Sequence, residues 1–453
     1  MEPHVVIDAN IHGAKERLEP HARVTALPGE AIERSVLSRA DALLVRTVTP
    51  VDRDLLEGTP VRFVGTATAA IGTGAAWLVT MCNFPGRKIL DWALLVPLAV
   101  FGAWAGGLAL LLLPLYAIGL TTLLDAISGL NTENPDLETP EEGLFWYRLV
   151  TLIWFPVQIV TVLSLIWYAT HTDHLALWEK VLLFYGVGVM SGGIGIVYAH
   201  ELMHQRNNLE RWLGDLLMAS VLYSHFRSEH LLVHHIHVGT PRDPVTARYN
   251  EGFHRYFLRV LRDCPRSAFR AEKAMLARKG RPWHDAGNPF WRYWMLQGAM
   301  IVLVLAIGGW AGLGLFLFQA FIAVTLLELT NYIEHYGLTR KHLGGGKYEH
   351  VQPRHSWNAS HRVSNWLLIN LQRHSDHHYK PNRRFPLLQT WSEAEAPQLP
   401  LGYPAMTAIA LFPPLWRSHM NPRVQRWRQM YYPEITDWRA YNKGKTPMPR
   451  GAS

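Results

Sequence analysis

Residues 89–129 are almost wholly apolar, interrupted at Gly106-Gly107 and Pro114, with Asp91 and Asp125 near the ends. At 1.5 Å per helical residue those about 41 residues would extend roughly 60 Å, twice a bilayer core, so a helical hairpin of two spans is expected. A third span fits 149–169. A fourth fits 181–200, whose glycines, among them Gly188, Gly192 and Gly195, let helices approach closely in lipid. A fifth and sixth fit 293–309 and 313–332, joined across Gly308–Gly312. The expected fold class is an all-α membrane protein with six transmembrane helices. The charged fraction agrees: 18% against the roughly 25% of an ordinary soluble chain.

Residues 1–76 have a different texture. Short β-branched runs, Val5-Val6-Ile7 and Val61-Arg62-Phe63-Val64, alternate with a helical stretch at 31–39. This is a small α/β segment, and without an apolar h-region or cleavage site it is not a signal peptide. The membrane domain is expected over 87–432, with a C-terminal tail at 433–453. Lys and Arg crowd the connection 205–292, from Arg206 and Arg211 through Arg255, Arg259 and Arg262 to Arg281. The links on the other side carry almost none. By the positive-inside rule both termini are expected in the cytoplasm. The net charge of +8 suits an anionic leaflet, and no basic block is dense enough to indicate nucleic acid.

With two cysteines and 23 histidines, a metal site in this chain must be built from nitrogen and oxygen. The histidines concentrate where spans four and six re-enter the cytoplasm. His200-Glu201-Leu202-Met203-His204 places two imidazoles four apart on one helical face. Glu229-His230-Leu231-Leu232-Val233-His234-His235 offers His230 and His234 on one face with His235 beside them. Asn331-Tyr332-Ile333-Glu334-His335 gives one more, and His374-Ser375-Asp376-His377-His378 gives three. Nine imidazoles exceed the four to six ligands of one ion, so two metals are expected. Imidazole suits zinc, copper, iron and nickel alike, and spacing does not choose among them. Glu201, Glu229, Glu334 and Asp376, each inside a ligand block, are candidates to accept the N–H of a ligating imidazole and fix its orientation. His225, His237, His254, His284, His355 and His361 fall outside the matched spacings and are expected to be supporting groups.

Together these blocks, with Leu123-Leu124-Asp125-Ala126, Gly239-Thr240-Pro241-Arg242-Asp243-Pro244 and His355-Ser356-Trp357-Asn358, resemble the integral-membrane alkane 1-monooxygenases over about residues 87–432. The resemblance implies a cytoplasm-facing centre of two non-haem irons, held by His200, His204, His230, His234, His235, His335, His374, His377 and His378. It implies terminal hydroxylation of n-alkanes to 1-alkanols with O2, with electrons from a separate rubredoxin and its reductase, in the inner membrane. No rubredoxin-like Cys pair is present in the chain itself. Val233 stands where the family usually has glycine, and Gln205 where lysine is commoner. By local sequence Trp104 matches a bulky position that limits substrate length in this family, and it would line the channel. Residues 1–71 resemble instead the opening of erythronate-4-phosphate dehydrogenase, in Asp41–Pro50 and Phe63–Ala69. No G-x-G-x-x-G loop follows, so a truncated, non-catalytic segment is expected, with Met81 an alternative start. Three other functions compete: a membrane fatty-acid desaturase with similar histidine boxes, an intramembrane zinc protease built on His200, Glu201 and His204, and a metal transporter.

Overall fold

The computed structural model describes residues 3–11, 14–45, 51–61, 63–66 and 94–447. Residues 67–93, with Met81 and the start of the first expected span, lie outside the described residues. The chain divides into two units, Met1–Leu90 and Asp91–Ser453.

In the first unit four parallel strands, β1 (His4–Asp8), β2 (Arg23–Leu27), β3 (Ala42–Val45) and β4 (Phe63–Thr66), lie in the order β2-β1-β3-β4. Short helices Ala14–Leu18, Arg34–Leu37 and Arg53–Leu56 connect them. Alternation sorts the side chains: Val6, Leu43 and Val45 pack with Leu37 on one face, Val5 and Ile7 with Ala22 on the other. A parallel sheet needs both faces covered in this way.

The second unit is helical. Helix α1 (Leu95–Ala105) is followed by α2 (Gly107–Ser128), α3 (Phe145–His171) and α4 (Leu177–His204). Next come α5 (Asn208–Ala219), then α6 (Phe226–Glu229), which runs into the π-helical turn His230–His234, and the amphipathic α7 (Phe253–Arg278). Helix α8 (Pro289–His335), α9 (His374–Tyr379), α10 (Tyr403–Ala410) and α11 (Pro413–Tyr431) complete the unit. Among the described residues α2, α3, α4 and α8 are long and apolar enough to cross a membrane. The 27 residues of α3 span about 40 Å, ample for the roughly 30 Å hydrocarbon core.

Two chain reversals are set by glycine. Gly309 has φ 58° and ψ −155° inside the 47-residue α8. A Cβ built on Gly312 would lie 3.6 Å from the Val304 carbonyl. A straight helix would separate residues eight apart by about 12 Å, so α8 folds back on itself at Gly309. The same test at Gly102, 3.3 Å from Leu110 Cα, shows the chain turning at Gly106-Gly107, both with positive φ.

Helix α4 packs against the second half of α8 backbone to backbone. A Cβ on Gly188 or Gly192 would sit 2.8 Å from the carbonyl of Gln319 or Ala323, so only glycine fits this crossing. Beyond the ends of α4 and α8, a cap of aromatic side chains, Tyr332, Tyr336, Trp357, Tyr403, Trp416 and Trp427, joins α8 to α10 and α11. Asp125, at the end of the first apolar run, is buried. Its Oδ1 accepts the backbone N–H groups of Val363 and Ser364, both at 2.9 Å, and so ties α2 to the segment leading to α9.

Candidate metal centre

The nine histidines form two groups, each with its ligand nitrogens within 4.8 Å of one another. His200, His204, His230, His235 and His377 make the first; His234, His335, His374 and His378 make the second. Helix α4 supplies two rings to the first group, the end of α8 supplies His335 to the second, and the segment His230–His235 after α6 and helix α9 contribute to both.

Helical phase explains the split. The i, i+4 spacing predicts His230 and His234 on one face, but the backbone from His230 to His234 is π-helical. A π-turn brings residues five apart into line, so His235 joins His230 and His234 turns to the other group. Across α9 ordinary α-helical phase holds: His374 and His378, four apart, face the second group and His377 faces the first. A second π-helical stretch, Ser191–Ile196, precedes His200 in α4. Val233 lies within the π-turn, buried and with negative φ, so the departure from glycine there displaces no ligand.

The nitrogen spacings identify what the groups can hold. His230 Nε2 lies 2.8 Å from His200 Nε2, 3.0 Å from His204 Nε2 and 2.9 Å from His235 Nε2. One ring nitrogen has either one hydrogen or one lone pair, so it cannot satisfy three partners by hydrogen bonding. Imidazoles bound at about 2.0–2.1 Å to one ion would place neighbouring nitrogens about 3.0 Å (octahedral) to 3.4 Å (tetrahedral) apart. The observed values match. In the second group His374 Nε2 lies 3.1 Å from His335 Nε2 and 3.0 Å from His378 Nε2. Burial first, then the neighbouring imidazoles, holds His230, His235, His374, His377 and His378 well below the usual histidine range, which keeps them in the neutral, ligating form.

The supporting carboxylates differ from expectation. Asp243 Oδ2 accepts from His234 Nδ1 at 3.0 Å and from Thr246 Oγ1 at 2.7 Å, while its Oδ1 accepts from Val245 N–H. This leaves His234 Nε2, buried and without a hydrogen-bond partner, as the atom that ring offers to a metal. Sequence reasoning quoted the block containing Asp243 but gave it no role. The available signal was a lone acid in a Thr-Pro-Arg-Asp-Pro turn nine residues after a ligand.

Of the four acids expected to orient imidazoles, only Glu334 meets a ligand ring. Its Oε2 is 3.2 Å from His374 Nε2, the nitrogen that faces the second group, so it stands on the metal side rather than behind the ring. Glu201 instead accepts from Gln205 Nε2 at 2.8 Å. Asp376 pairs with Arg383 and accepts from Gln389 N–H, clamping the turn after α9. Glu229 Oε1 is buried and has no hydrogen-bond partner. Glu210, paired with both Arg148 and Arg384, ties the same turn to α3 and α5.

His225, His237, His254, His284, His355 and His361 belong to neither group. His254 Nε2 meets the Leu411 carbonyl, and His355 is held by Tyr432 and Gln352. A cavity of about 30 Å³ faces both groups, lined by His200, His230 and His374 and by apolar Ile196, Phe226 and Leu327. Trp104 is not among its walls: it is 69% exposed on the outside of α1, its ring against Phe101.

Residues 176–410 match the family described as fatty acid desaturase. The chain is 38% identical over 327 residues to alkane 1-monooxygenase 2 of Pseudomonas aeruginosa, covering 70% of this chain and 85% of that protein. The chain belongs to the alkane 1-monooxygenase family. Alkane 1-monooxygenase 2 of Alcanivorax borkumensis is 36% identical, over 74% of this chain and 89% of its own length. A more distant relative, the hydroxylase component of a xylene/toluene monooxygenase of Pseudomonas putida, is 30% identical over 53% of this chain and 64% of its own. As a member of this family, the protein combines helices long and apolar enough to cross a membrane with a nitrogen-rich candidate metal site.

Proposed function

We propose that the protein hydroxylates the terminal carbon of n-alkanes, giving 1-alkanols, at two non-haem irons held by the two histidine groups. Electrons would come from a separate rubredoxin and its reductase. The observation that carries this reading is the pair of adjoining nitrogen groups sharing one small, largely apolar-walled cavity. An alkane C–H bond has no polarity for acid–base attack, and the irons supply oxidation by O2. The chain's own residues do the rest. The nine imidazoles would hold the two ions, one in each nitrogen group, and Asp243 fixes the His234 ring through Nδ1 so that Nε2 is left free to ligate. Ile196, Phe226 and Leu327 present an apolar wall that excludes water and receives a hydrocarbon end.

The irons are assigned to the ligands named from sequence, with Glu334 an oxygen donor within reach of the second group. The topology is proposed as six spans, α1 with α2 and the two halves of α8 forming hairpins, with both termini and the metal centre on the cytoplasmic side of the inner membrane. Residues 1–76 are assigned no part in the chemistry, and 433–453 form the tail.

Product analysis tests the function: the full chain, supplied with rubredoxin, its reductase and n-octane, is expected to form 1-octanol. An alkene product would favour a desaturase. Cysteine labelling of the connection 205–292 from the periplasmic side would overturn the topology.

A further inference from the structure

The small cavity at the histidines has one polar side chain in its wall that the two nitrogen groups do not explain. Helix α8 contributes Leu327, Thr330, Asn331 and Glu334 to this wall. Asn331 stands four residues before His335, on the same helical face and about 6 Å deeper along α8. It is 5% exposed, and an amide buried in apolar surroundings is costly unless its polar atoms find partners. Its nitrogen has one: Asn331 Nδ2 donates to Glu328 Oε2 at 3.2 Å. Glu328 also accepts from Tyr223 Oη at 2.9 Å and Tyr256 Oη at 3.4 Å, so the carboxylate is held from three sides.

The two ends of a carboxamide have the same shape, and their partners decide which end points where. A carboxylate only accepts, so Glu328 holds the nitrogen end of Asn331. The oxygen end, Oδ1, is left without a protein partner among the described residues, on a side chain that lines the cavity. Thr330 makes no comparable demand, because a hydroxyl rotates to donate or to accept. An unmet acceptor in an apolar wall is unfavourable, and an n-alkane has nothing to offer it. Conversion of the terminal CH3 into CH2OH creates the single O–H donor that such a chain can present. A cavity of about 30 Å³ has room for a chain end of that size.

We infer that Asn331 Oδ1 accepts the hydroxyl hydrogen of the 1-alkanol, and that Glu328 is the positioning residue that keeps the amide turned toward it. The cavity thereby binds a primary alcohol more tightly than an isomeric ether, which has no hydrogen to donate. The inference deepens the oxygenase reading above and rests on it.

The test uses the full chain, iron-loaded and without an electron donor, so that binding is read with no turnover. The probes are n-octane, 1-octanol and its isomer heptyl methyl ether, each titrated for saturable binding. Wild type is expected to bind 1-octanol about three- to tenfold more tightly than the ether, the worth of one hydrogen bond. Asn331→Leu, similar in size but without an acceptor, is expected to abolish that preference while n-octane binds as well as before or better. Glu328→Gln can donate its own N–H to Asn331 Oδ1, which turns the amide nitrogen toward the cavity, and the ratio of 1-octanol to ether affinity is expected to fall to about one. An iron content equal to wild type certifies folding of each variant, and Glu328→Gln decides alone if Asn331→Leu loses iron. An unchanged ratio in a variant that keeps its iron would overturn the inference, and so would the absence of any preference for 1-octanol in wild type. Alkanol formation by wild type supplied with rubredoxin and its reductase is scored separately. Its absence rejects the oxygenase reading, whereas its presence with a ratio insensitive to these substitutions rejects only the role of Asn331.

Discussion

His234 and His235 are neighbours in the chain yet serve different nitrogen groups: His235 Nε2 lies 2.9 Å from His230 Nε2, while His234 gathers with His335, His374 and His378. The π-helical turn is what divides them. Single substitutions should therefore separate the two metals. His235→Ala is expected to weaken the first site, which keeps four imidazoles, and His234→Ala the second, which keeps three. Iron content should fall from about two toward one per chain in His234→Ala, with less loss in His235→Ala, and the spectroscopic signal lost should differ between them. Equal, complete loss of both irons in each variant would contradict separate sites.

Asp243 fixes the His234 ring, and partners of this kind are worth about 10–100-fold in metal affinity or activity. Asp243→Ala should lose that much iron affinity. Asp243→Asn keeps an acceptor for the His234 N–H and should lose less. Titration of iron into metal-free protein gives the comparison, and equal affinity in all three forms would remove Asp243 from the support of the site.

At the crossing of α4 and α8, a Cβ on Gly192 would lie 2.8 Å from the Ala323 carbonyl. Gly192→Val forces the two backbones apart, and overpacking of this kind costs about 1–3 kcal/mol. A lower unfolding temperature in detergent, together with weaker iron retention, is expected. Gly193, with nothing within 4 Å of its Cβ position, is the control, and Gly193→Ala should be nearly silent.

Substrate length provides a further comparison. Leu327 lines the cavity at the histidines, whereas Trp104 is exposed on the outer face of α1. Leu327→Ala is expected to change the distribution of n-alkanes accepted, and Trp104→Ser to leave it unchanged. A shift toward longer alkanes in Trp104→Ser would restore the channel role expected from sequence.

Much of this was legible in the chain before folding. Apolar runs and the pair Gly308-Gly309 announce the hairpin in α8, because only long hydrophobic stretches cross lipid and only glycine turns so sharply at positive φ. The nine histidines were visible as clusters. Their partition was not, since a choice between α and π phase over His230–His234 depends on packing that periodicity does not encode. Asp243 was hidden for a related reason: a carboxylate in a turn meets His234 only when the loop closes. Glu201 and Asp376 sit inside ligand blocks, but their carboxylates meet Gln205 and Arg383 rather than a ligand ring.

Two histidine groups are proposed to hold two irons at which an alkane is oxidised. Metal analysis of purified, catalytically active full chain tests it most directly. The account predicts two irons per chain, with activity rising in proportion to iron. One metal ion per chain, or full activity with zinc in place of iron, would contradict it.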